Sequence, residues 1–256
     1  MILAIDIGNT NIVLGCIDHE QILFTERLST DHSKTDLEHA ISIKTVLELH
    51  QINSRDIEGA IIGSVVPPLT PLVREALRKI TGHQAMIVGP GIKTGLNILM
   101  DDPATMGSDL ITGAVAGIHR YPVPLVIIDM GTATTISVID NRKNFIGGMI
   151  LPGLRVSLDS LTTRTSQLPR INLDPPRRLI GKNTIDCMKS GVLYGNASCI
   201  DGMIDRIQNE LGEPVTVVAT GGLATRIVPL CTHQITLDDE LILRGLQLIY
   251  QKNKPA

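Results

Sequence analysis

An aspartate and a glycine recur at two points where an apolar run ends. Asp6-Ile7-Gly8 follows the apolar residues 1–5, and Asp129-Met130-Gly131 follows Val126–Ile128. The separation between the aspartates equals that between the glycines, and it is about half of the 256 residues. Glycine allows a sharp backbone turn, and successive N–H groups in such a turn form a concave site for anions. Each turn is therefore a candidate phosphate-binding site.

The carboxylate of Asp6 repels phosphate, so its expected role is to hold Mg²⁺ that is bound to phosphates. An ordinary hairpin turn remains the alternative, because Asn and Gly are common in turns. In the second copy, Asp129 and Gly131 are followed by Thr132, Ala133 and two more threonines. We expect the two turns to face each other across a cleft and to hold a triphosphate. Such copies are typical of an internal duplication, although chance similarity of two strand–turn–strand units is the alternative.

A third glycine turn follows the apolar run 215–219. Thr220-Gly221-Gly222 ends a predicted strand and precedes a predicted helix, so a nucleotide base or sugar could approach its backbone closely. Alone it is a weak signal, because many strands end in this way. The chain has neither a Walker A sequence nor the catalytic motifs of protein kinases. ATP would therefore have to bind through these three turns.

Composition excludes several classes of function. Hydrophobic residues make up 43% of the chain and charged residues 19%, as in soluble globular proteins. The formal net charge is −3 and aromatic residues make up only 2%, whereas nucleic-acid binding calls for a basic surface or stacking side chains. No apolar run approaches the roughly 20 residues of a membrane span, and residues 1–10 do not resemble a signal peptide. We therefore expect a cytoplasmic protein that binds neither nucleic acid nor membrane.

The predicted elements indicate an α/β fold with two mixed sheets flanked by helices. In the first half, strands, helices and turns alternate in the order βββαβαβ, and the second half begins with the same strand–turn–strand unit. Thr35 and Glu38 form a capping-box pattern before a helix that extends to about residue 51. Thr70-Pro71 predicts an N-cap and a first helical residue. A long helix is predicted over 184–211 and a last one over 239–251. We expect an N-terminal domain over 1–118 and a C-terminal domain over 119–256.

The three turns in this order resemble the phosphate-1, phosphate-2 and adenosine motifs of the actin, heat-shock-chaperone and sugar-kinase superfamily. Within it, the whole chain most resembles type III pantothenate kinases. The segments that carry this resemblance are DIGNTN at 6–11, GSVVP at 63–67, GPGIKTGL at 89–96, GSD at 107–109, IDMGTATT at 128–135, GGMILPGL at 147–154, SQLPR at 166–170, GKNT at 181–184 and ATGGLA at 219–224. The resemblance implies two RNase-H-like domains, ATP-dependent phosphorylation of pantothenate to 4′-phosphopantothenate in coenzyme A biosynthesis, and a homodimer.

The resemblance also implies roles for individual residues. The ATP-binding residues would be Asp6, Ile7, Gly8, Asn9, Thr10, Asn11, Ile12, Val13, Thr132, Gly221 and Gly222. The pantothenate-binding residues would be Gly107, Ser108, Asp109, Leu110 and, from across the dimer, Thr184. Asp109 would accept the proton of the substrate hydroxyl, and Asp129 would bind K⁺ or NH₄⁺ while Asp6 holds Mg²⁺ through the phosphates. Read without the resemblance, Asp109 is a helix N-cap and Thr184 is a first-turn helix residue.

Three positions depart from the family pattern. Leu110 stands where many relatives have Arg, Gly113 where many have Asn, and Met100 where many have Tyr. An Arg would pair well with the pantothenate carboxylate, so the partner of that carboxylate is open. Arg155, Arg164 or Lys182 is our hypothesis for a substitute.

Two other functions remain open at this point. One is a different small-molecule kinase, such as a sugar kinase, with the same ATP-binding turns. The other is an ATP-binding regulator without catalytic activity. The composition disfavours direct DNA contact by such a regulator, and the three aspartates Asp6, Asp109 and Asp129 disfavour an inactive enzyme.

Overall fold

The first mixed sheet contains the first predicted phosphate-binding turn. The computed structural model describes residues 1–254, and five strands of the first half pair in the order β3-β2-β1-β4-β5. They are β1 (Ile2–Ile7), β2 (Asn11–Asp18), β3 (Gln21–Ser29), β4 (Gly59–Ser64) and β5 (Met86–Ile87). The first three are antiparallel, whereas β4 and β5 run parallel to β1. The turn at residues 8–10 thus connects two central strands.

Alternation along β1 supplies both faces of this sheet. Leu3, Ile5 and Ile7 point into one core with the helices α1 (Asp36–Leu49) and α2 (Thr70–Thr81). Ile2 and Ala4 point to the opposite face, as the period of two in a strand requires.

The caps of these two helices test two of our predictions. The capping box of α1 is confirmed, with the Thr35 hydroxyl accepting from the Glu38 N–H and the Glu38 carboxylate accepting from the Thr35 N–H. The Thr70 prediction is wrong by one residue, because Leu69 is the N-cap and Thr70 is already helical. The Thr70 hydroxyl donates instead to Ser64 Oγ at 2.8 Å.

The second mixed sheet repeats this arrangement. Its order is β11-β10-β7-β8-β9-β6, with β6 (Asn97–Ile98), β7 (Leu125–Met130), β8 (Ala133–Ile139), β9 (Asn144–Pro152), β10 (Thr216–Thr220) and β11 (Thr236–Leu237). β7, β8 and β9 are antiparallel, whereas β10 runs parallel to β7 and β11 to β10. Without β6, this is the order and direction of the first sheet, so the α/β fold with two like halves is confirmed.

Helices α4 (Leu154–Arg164), α5 (Thr184–Leu211) and α6 (Ala224–Ile227) belong to the second half. The long helix α5 begins and ends where the sequence predicts, between the N-cap Asn183 and Gly212. Gly212 has a φ of 73°, the left-handed conformation that commonly ends helices. These helices cover the face of β7 that carries Val126, Ile128 and Met130.

The chain separates into two compact units whose boundaries differ from the predicted domains. Unit 1 comprises residues 1–96 and 101–116 and the described residues from 240 onward, and unit 2 comprises 97–100 and 117–239. The boundary near residue 117 lies close to the predicted one and falls inside α3 (Ser108–Arg120). Residues 97–100 join unit 2 because β6 pairs with β9. The last helix, α7 (Leu241–Asn253), joins unit 1 because it packs on β1 and β4.

Glycines let α7 approach its neighbours in unit 1. A Cβ at Gly59 would overlap the ring of Tyr250, and one at Gly245 would overlap the carbonyl oxygen of Thr112 on α3. A Cβ at Gly63 would lie 3.2 Å from Leu246 Cδ2. α7 is therefore close to the end of β4 and to the first turns of α3.

None of the helices within residues 1–254 is both long enough and apolar enough to cross a membrane.

Candidate functional site

The first Asp-Gly turn is held by backbone hydrogen bonds. Asp6 pairs with Val13 in the β1–β2 ladder, and the Gly8 N–H donates to the Asn11 carbonyl oxygen at 3.0 Å. Asn9, Thr10 and Asn11 are exposed. The turn therefore presents its polar residues to solvent, as a ligand-binding turn must.

Thr30 holds this turn from the end of β3, although none of the sequence motifs includes it. Its hydroxyl donates to the Gly8 carbonyl oxygen at 2.6 Å, and its N–H donates to the Thr10 carbonyl oxygen at 3.0 Å. Two bonds from one residue restrict the turn from outside. No sequence signal identifies Thr30, because only strand pairing brings it there.

Asp6 lies beside Gly63 and near the first residue of α3. Asp6 and Gly63 are partners in the parallel β1–β4 register. The position of a Cβ on Gly63 lies 3.8 Å from Asp6 Oδ1 and 3.6 Å from Ser108 Oγ. The structure thus brings the predicted DIGNTN and GSD segments together within unit 1, and it adds Gly63 to them.

Asp109 lies in the first turn of α3, where the sequence predicts it. Its Oδ1 accepts from the Leu110 N–H at 2.8 Å. A Cβ at Gly107 would lie 2.5 Å from that same oxygen, so the glycine leaves room for the carboxylate. Burial raises the pKa of Asp109 above its usual value, while hydrogen bonding from the Leu110 N–H opposes the rise. A carboxyl group with a raised pKa is a better proton acceptor than an exposed one.

The departure at Gly113 lies where α3 faces α7 in unit 1. A Cβ at this position would lie 3.4 Å from Ile242 Cδ1 on α7, which is an ordinary van der Waals contact. The structure gives no steric reason for glycine here.

The second Asp-Gly turn is tighter than the first. The Gly131 N–H donates to the Ala133 carbonyl oxygen at 3.0 Å, and the Gly153 N–H donates to the Thr132 carbonyl oxygen at 3.1 Å. A Cβ at Gly153 would overlap that carbonyl oxygen. The turn is therefore held by the segment that follows β9, and Gly153 is a second residue that the motif analysis did not assign.

The diglycine turn adjoins the second Asp-Gly turn within unit 2. Gly221 has a φ of 94°, and its added Cβ would lie 2.5 Å from Asp129 Oδ1. The Leu223 N–H donates to the Met130 carbonyl oxygen at 3.4 Å. The predicted phosphate-2 and adenosine motifs are thus neighbours, and Gly221 permits the contact.

The remaining predicted residues lie in unit 2. Thr184 is exposed at the start of α5, directly after Asn183, whose side-chain oxygen accepts from the Asp186 N–H at 2.9 Å. The hypothetical carboxylate partners Arg155, Arg164 and Lys182 are all exposed. Their role stays a prediction.

Comparisons with known proteins agree with the motifs. The sequence model of the type III pantothenate kinase family matches residues 2–206. A type III pantothenate kinase of Brevibacillus brevis is 43% identical over 256 residues, covering 99% of this chain and all of the relative. The one of Moorella thermoacetica is 40% identical over 253 residues, with 99% and 100% covered.

Solved structures support the fold. The activator of 2-hydroxyisocaproyl-CoA dehydratase from Clostridium difficile, solved with bound ADPNP, matches with a TM-score of 0.54 at 13% identity. The match covers 97% of this chain and 92% of that one. Such low identity shows a shared fold alone. The full-length sequence matches show that the chain belongs to the type III pantothenate kinase family, and the two Asp-Gly turns and the partly buried Asp109 agree with this.

Proposed function

We propose that this chain transfers the γ-phosphate of ATP to pantothenate and forms 4′-phosphopantothenate in coenzyme A biosynthesis. The observation that carries the proposal is the full-length similarity to type III pantothenate kinases. The two Asp-Gly turns and the partly buried carboxylate of Asp109 supply groups that a phosphoryl transfer needs.

ATP binds through backbone donors of both turns in this proposal. Residues 6–13, Thr132, Gly221 and Gly222 are the nucleotide-binding residues. Backbone N–H groups of the exposed residues 9–11 can donate to phosphate oxygens in this proposal, and the restraint by Thr30 orients the turn in advance. A relative by fold was solved with an ATP analogue, which agrees with nucleotide binding by this fold.

The residues around Asp6 fit a divalent cation. Mg²⁺ usually takes one or two carboxylates and substrate phosphates, and it keeps several waters. Asp6 supplies a carboxylate, and its strand partner Gly63 places no side chain beside it. When bound, Mg²⁺ neutralises negative charge on the phosphates. Asp6 therefore holds and orients the metal-bound nucleotide in this proposal.

Asp109 aligns the substrate hydroxyl and accepts its proton as the bond to phosphorus forms. An ordinary aspartate is a weak base, but phosphoryl transfer depends more on positioning and charge neutralisation than on a strong base. Burial raises the pKa of Asp109, which improves its match to this task. The bond from the Leu110 N–H leaves the second carboxylate oxygen for the hydroxyl.

Monovalent cation and substrate contacts complete the proposal. Asp129 binds K⁺ or NH₄⁺, and its closeness to Gly221 keeps this carboxylate beside the nucleotide turn. Pantothenate contacts Gly107–Leu110 and Thr184. Alanine variants of Arg155, Arg164 and Lys182 test the carboxylate partner: one variant is expected to raise the KM for pantothenate, and three unchanged values would exclude all three residues.

The chain forms a homodimer in this proposal. Unit 2 exposes several large apolar side chains, which a second copy could cover: Ile150, Val156, Leu161, Leu179, Ile180 and Ile185. Ile180 is 78% exposed, so Ile180→Glu is expected to shift sedimentation from dimer to monomer. Wild-type protein that sediments as a monomer at micromolar concentration would contradict the dimer. We also place the enzyme in the cytoplasm, where ATP is available.

An ATP-consumption assay with and without pantothenate, in K⁺ and in Na⁺ buffer, tests the proposed function. ADP formation that requires pantothenate and is faster in K⁺ is the expected result. Leu110 in place of the family's Arg favours a second candidate, a kinase for an uncharged small alcohol. ADP formation with sugars but not with pantothenate would support that candidate and contradict the first.

A further inference from the structure

We propose that Ser108 is a positioning residue for the cation site of Asp6, with its hydroxyl bonded to a water shared with Asp6 and Mg²⁺. The inference rests on the proposed Mg²⁺–ATP binding, and it gives the Ser108 hydroxyl this role in place of the contact with pantothenate that the family resemblance implies. All of the residues involved lie in unit 1.

The Ser108 hydroxyl is buried without a partner. The residue is only 6% exposed, and within residues 1–254 its Oγ makes no hydrogen bond. An unpaired buried hydroxyl costs stability, so native proteins rarely keep one without a reason. Its partner is therefore expected to be a group that arrives with the ligand.

The Asp6 carboxylate lies across Gly63 from this hydroxyl. A Cβ added to Gly63 would lie 3.6 Å from Ser108 Oγ, 3.8 Å from Asp6 Oδ1 and 3.2 Å from Leu246 Cδ2. Two oxygens thus border the place where every other residue type would have a side-chain atom. A water that lies between these two oxygens, farther from the Gly63 Cα than a Cβ would be, can accept from or donate to Ser108 and Asp6 at once.

Helix geometry separates Ser108 from Asp109. Successive residues of an α-helix point about 100° apart, and the carbonyl oxygen of Ser108 is bonded by the Thr112 hydroxyl at 2.9 Å. Ser108 thus faces β4 and Asp6, whereas the next residue, Asp109, accepts from the Leu110 N–H. The hydroxyl therefore links the helix that carries the proton acceptor to the carboxylate that holds the metal-bound nucleotide.

Ser108→Ala tests this link by a measurement that does not need turnover. ATP binding is measured by calorimetry in Mg²⁺ and again in excess EDTA. We expect Mg²⁺–ATP affinity to fall about tenfold, since a hydrogen bond to a charged site is lost, and ATP affinity in EDTA to stay unchanged. The ligand-free melting temperature should not fall, because the hydroxyl has no partner there. Ser42→Ala, in a partly exposed helix position of the same unit, is the control.

Gly63→Ala is an independent second variant, because its methyl group crowds the place of the proposed water. Only the flexible end of Leu246 needs to move by a few tenths of an ångström. The same loss of Mg²⁺–ATP affinity is expected, and the double variant should lose little more than either single one, because both remove one shared water.

The outcomes separate this inference from the proposed function. If Ser108→Ala leaves Mg²⁺–ATP affinity unchanged, the inference is wrong; if it raises the KM for pantothenate instead, Ser108 contacts the substrate. Failure of the wild type to bind Mg²⁺–ATP would also overturn it. Absence of pantothenate-dependent ADP formation, with Mg²⁺–ATP binding intact, would contradict only the proposed substrate.

Discussion

The two Asp-Gly turns have the same topology but different neighbours. Ile7 pairs with Ile12 across the first turn, and Met130 pairs with Thr134 across the second. The second hairpin is therefore one residue shorter. This deletion explains why the two sequences match at Asp and Gly but not beyond them.

The neighbour of each carboxylate differs as well. Asp6 is paired with Gly63 in the parallel strand, which leaves space beside the carboxylate. Asp129 is paired with Thr220, and Gly221 closes over its Oδ1. The two sheets share their strand order and directions, whereas the residues on the adjacent strand set the room at each carboxylate. We infer that the first turn suits a hydrated divalent cation. The second turn leaves less room around its carboxylate.

The largest expected effect concerns Asp109, which directly follows Ser108 beside the first turn and is the proposed proton acceptor. Asp109→Asn should lower kcat by about 10²-fold or more and leave nucleotide binding intact, as measured by steady-state kinetics and calorimetry. Turnover at the wild-type rate would remove Asp109 from the mechanism.

The same variant should be more stable at pH 7. Because burial raises the folded pKa of Asp109, its ionisation costs stability above that raised value, and the cost disappears as the pH falls below the ordinary aspartate pKa. Asn removes the charge, so the melting temperature should rise by about 2 °C. At a pH below the ordinary pKa the difference should vanish.

The two turn carboxylates should differ in the size of their effects. Asp6→Asn should lower kcat/KM for Mg²⁺–ATP by about 10²-fold, since a charge that stabilises the transition state is lost. Asp129→Asn should cost about tenfold and abolish stimulation by K⁺, because a monovalent cation contributes less charge. Equal losses of kcat/KM in the two variants would contradict the proposal that the two carboxylates hold cations of different charge.

Adding a methyl group beside each carboxylate should lower the free energy of unfolding by unequal amounts. Gly221→Ala combines a φ of 94° with a Cβ 2.5 Å from Asp129 Oδ1, so we expect a loss of about 2–3 kcal/mol in unfolding free energy. Gly63→Ala should cost less than about 1 kcal/mol, because its contacts are longer. Urea unfolding of both variants measures the difference, and equal losses would mean that the second site is not the more tightly closed one.

The smallest expected effects are those of two threonine substitutions, which should change the folding stability in opposite directions. Thr30→Val loses the 2.6 Å bond to the Gly8 carbonyl oxygen and should cost about 1 kcal/mol. Thr134→Val should instead be neutral or stabilising by up to about 1 kcal/mol, because the Thr134 hydroxyl is buried and has no partner within residues 1–254. Melting temperatures without ligand test both signs. A destabilised Thr134→Val would indicate that this hydroxyl has a partner in solution.

Residue patterns identified most strands, most helices and both Asp-Gly turns, because apolar periodicity and turn residues are local signals. The helix over 184–211 is confirmed at both ends, since Asn183 and Gly212 are themselves capping signals. The short strands β6 and β11 escaped notice because neither lies in a continuous apolar run, whereas the equally short β5 does. The roles of the site residues stay predictions.

The sequence by itself determined that Asp6 and Asp129 each follow an apolar strand directly and that a glycine stands two residues after each of them. Its motifs also identify the family. Only the tertiary structure decided that α7 returns to the first unit, that Thr30 holds the Gly8–Asn11 turn, and that Gly63 lies between Asp6 and Ser108. The physical reason is that strand register and helix packing between distant segments are stabilised by burial and close fit, which depend on many residues at once. A local pattern supplies the groups for the chemistry, and non-local packing determines which of them meet.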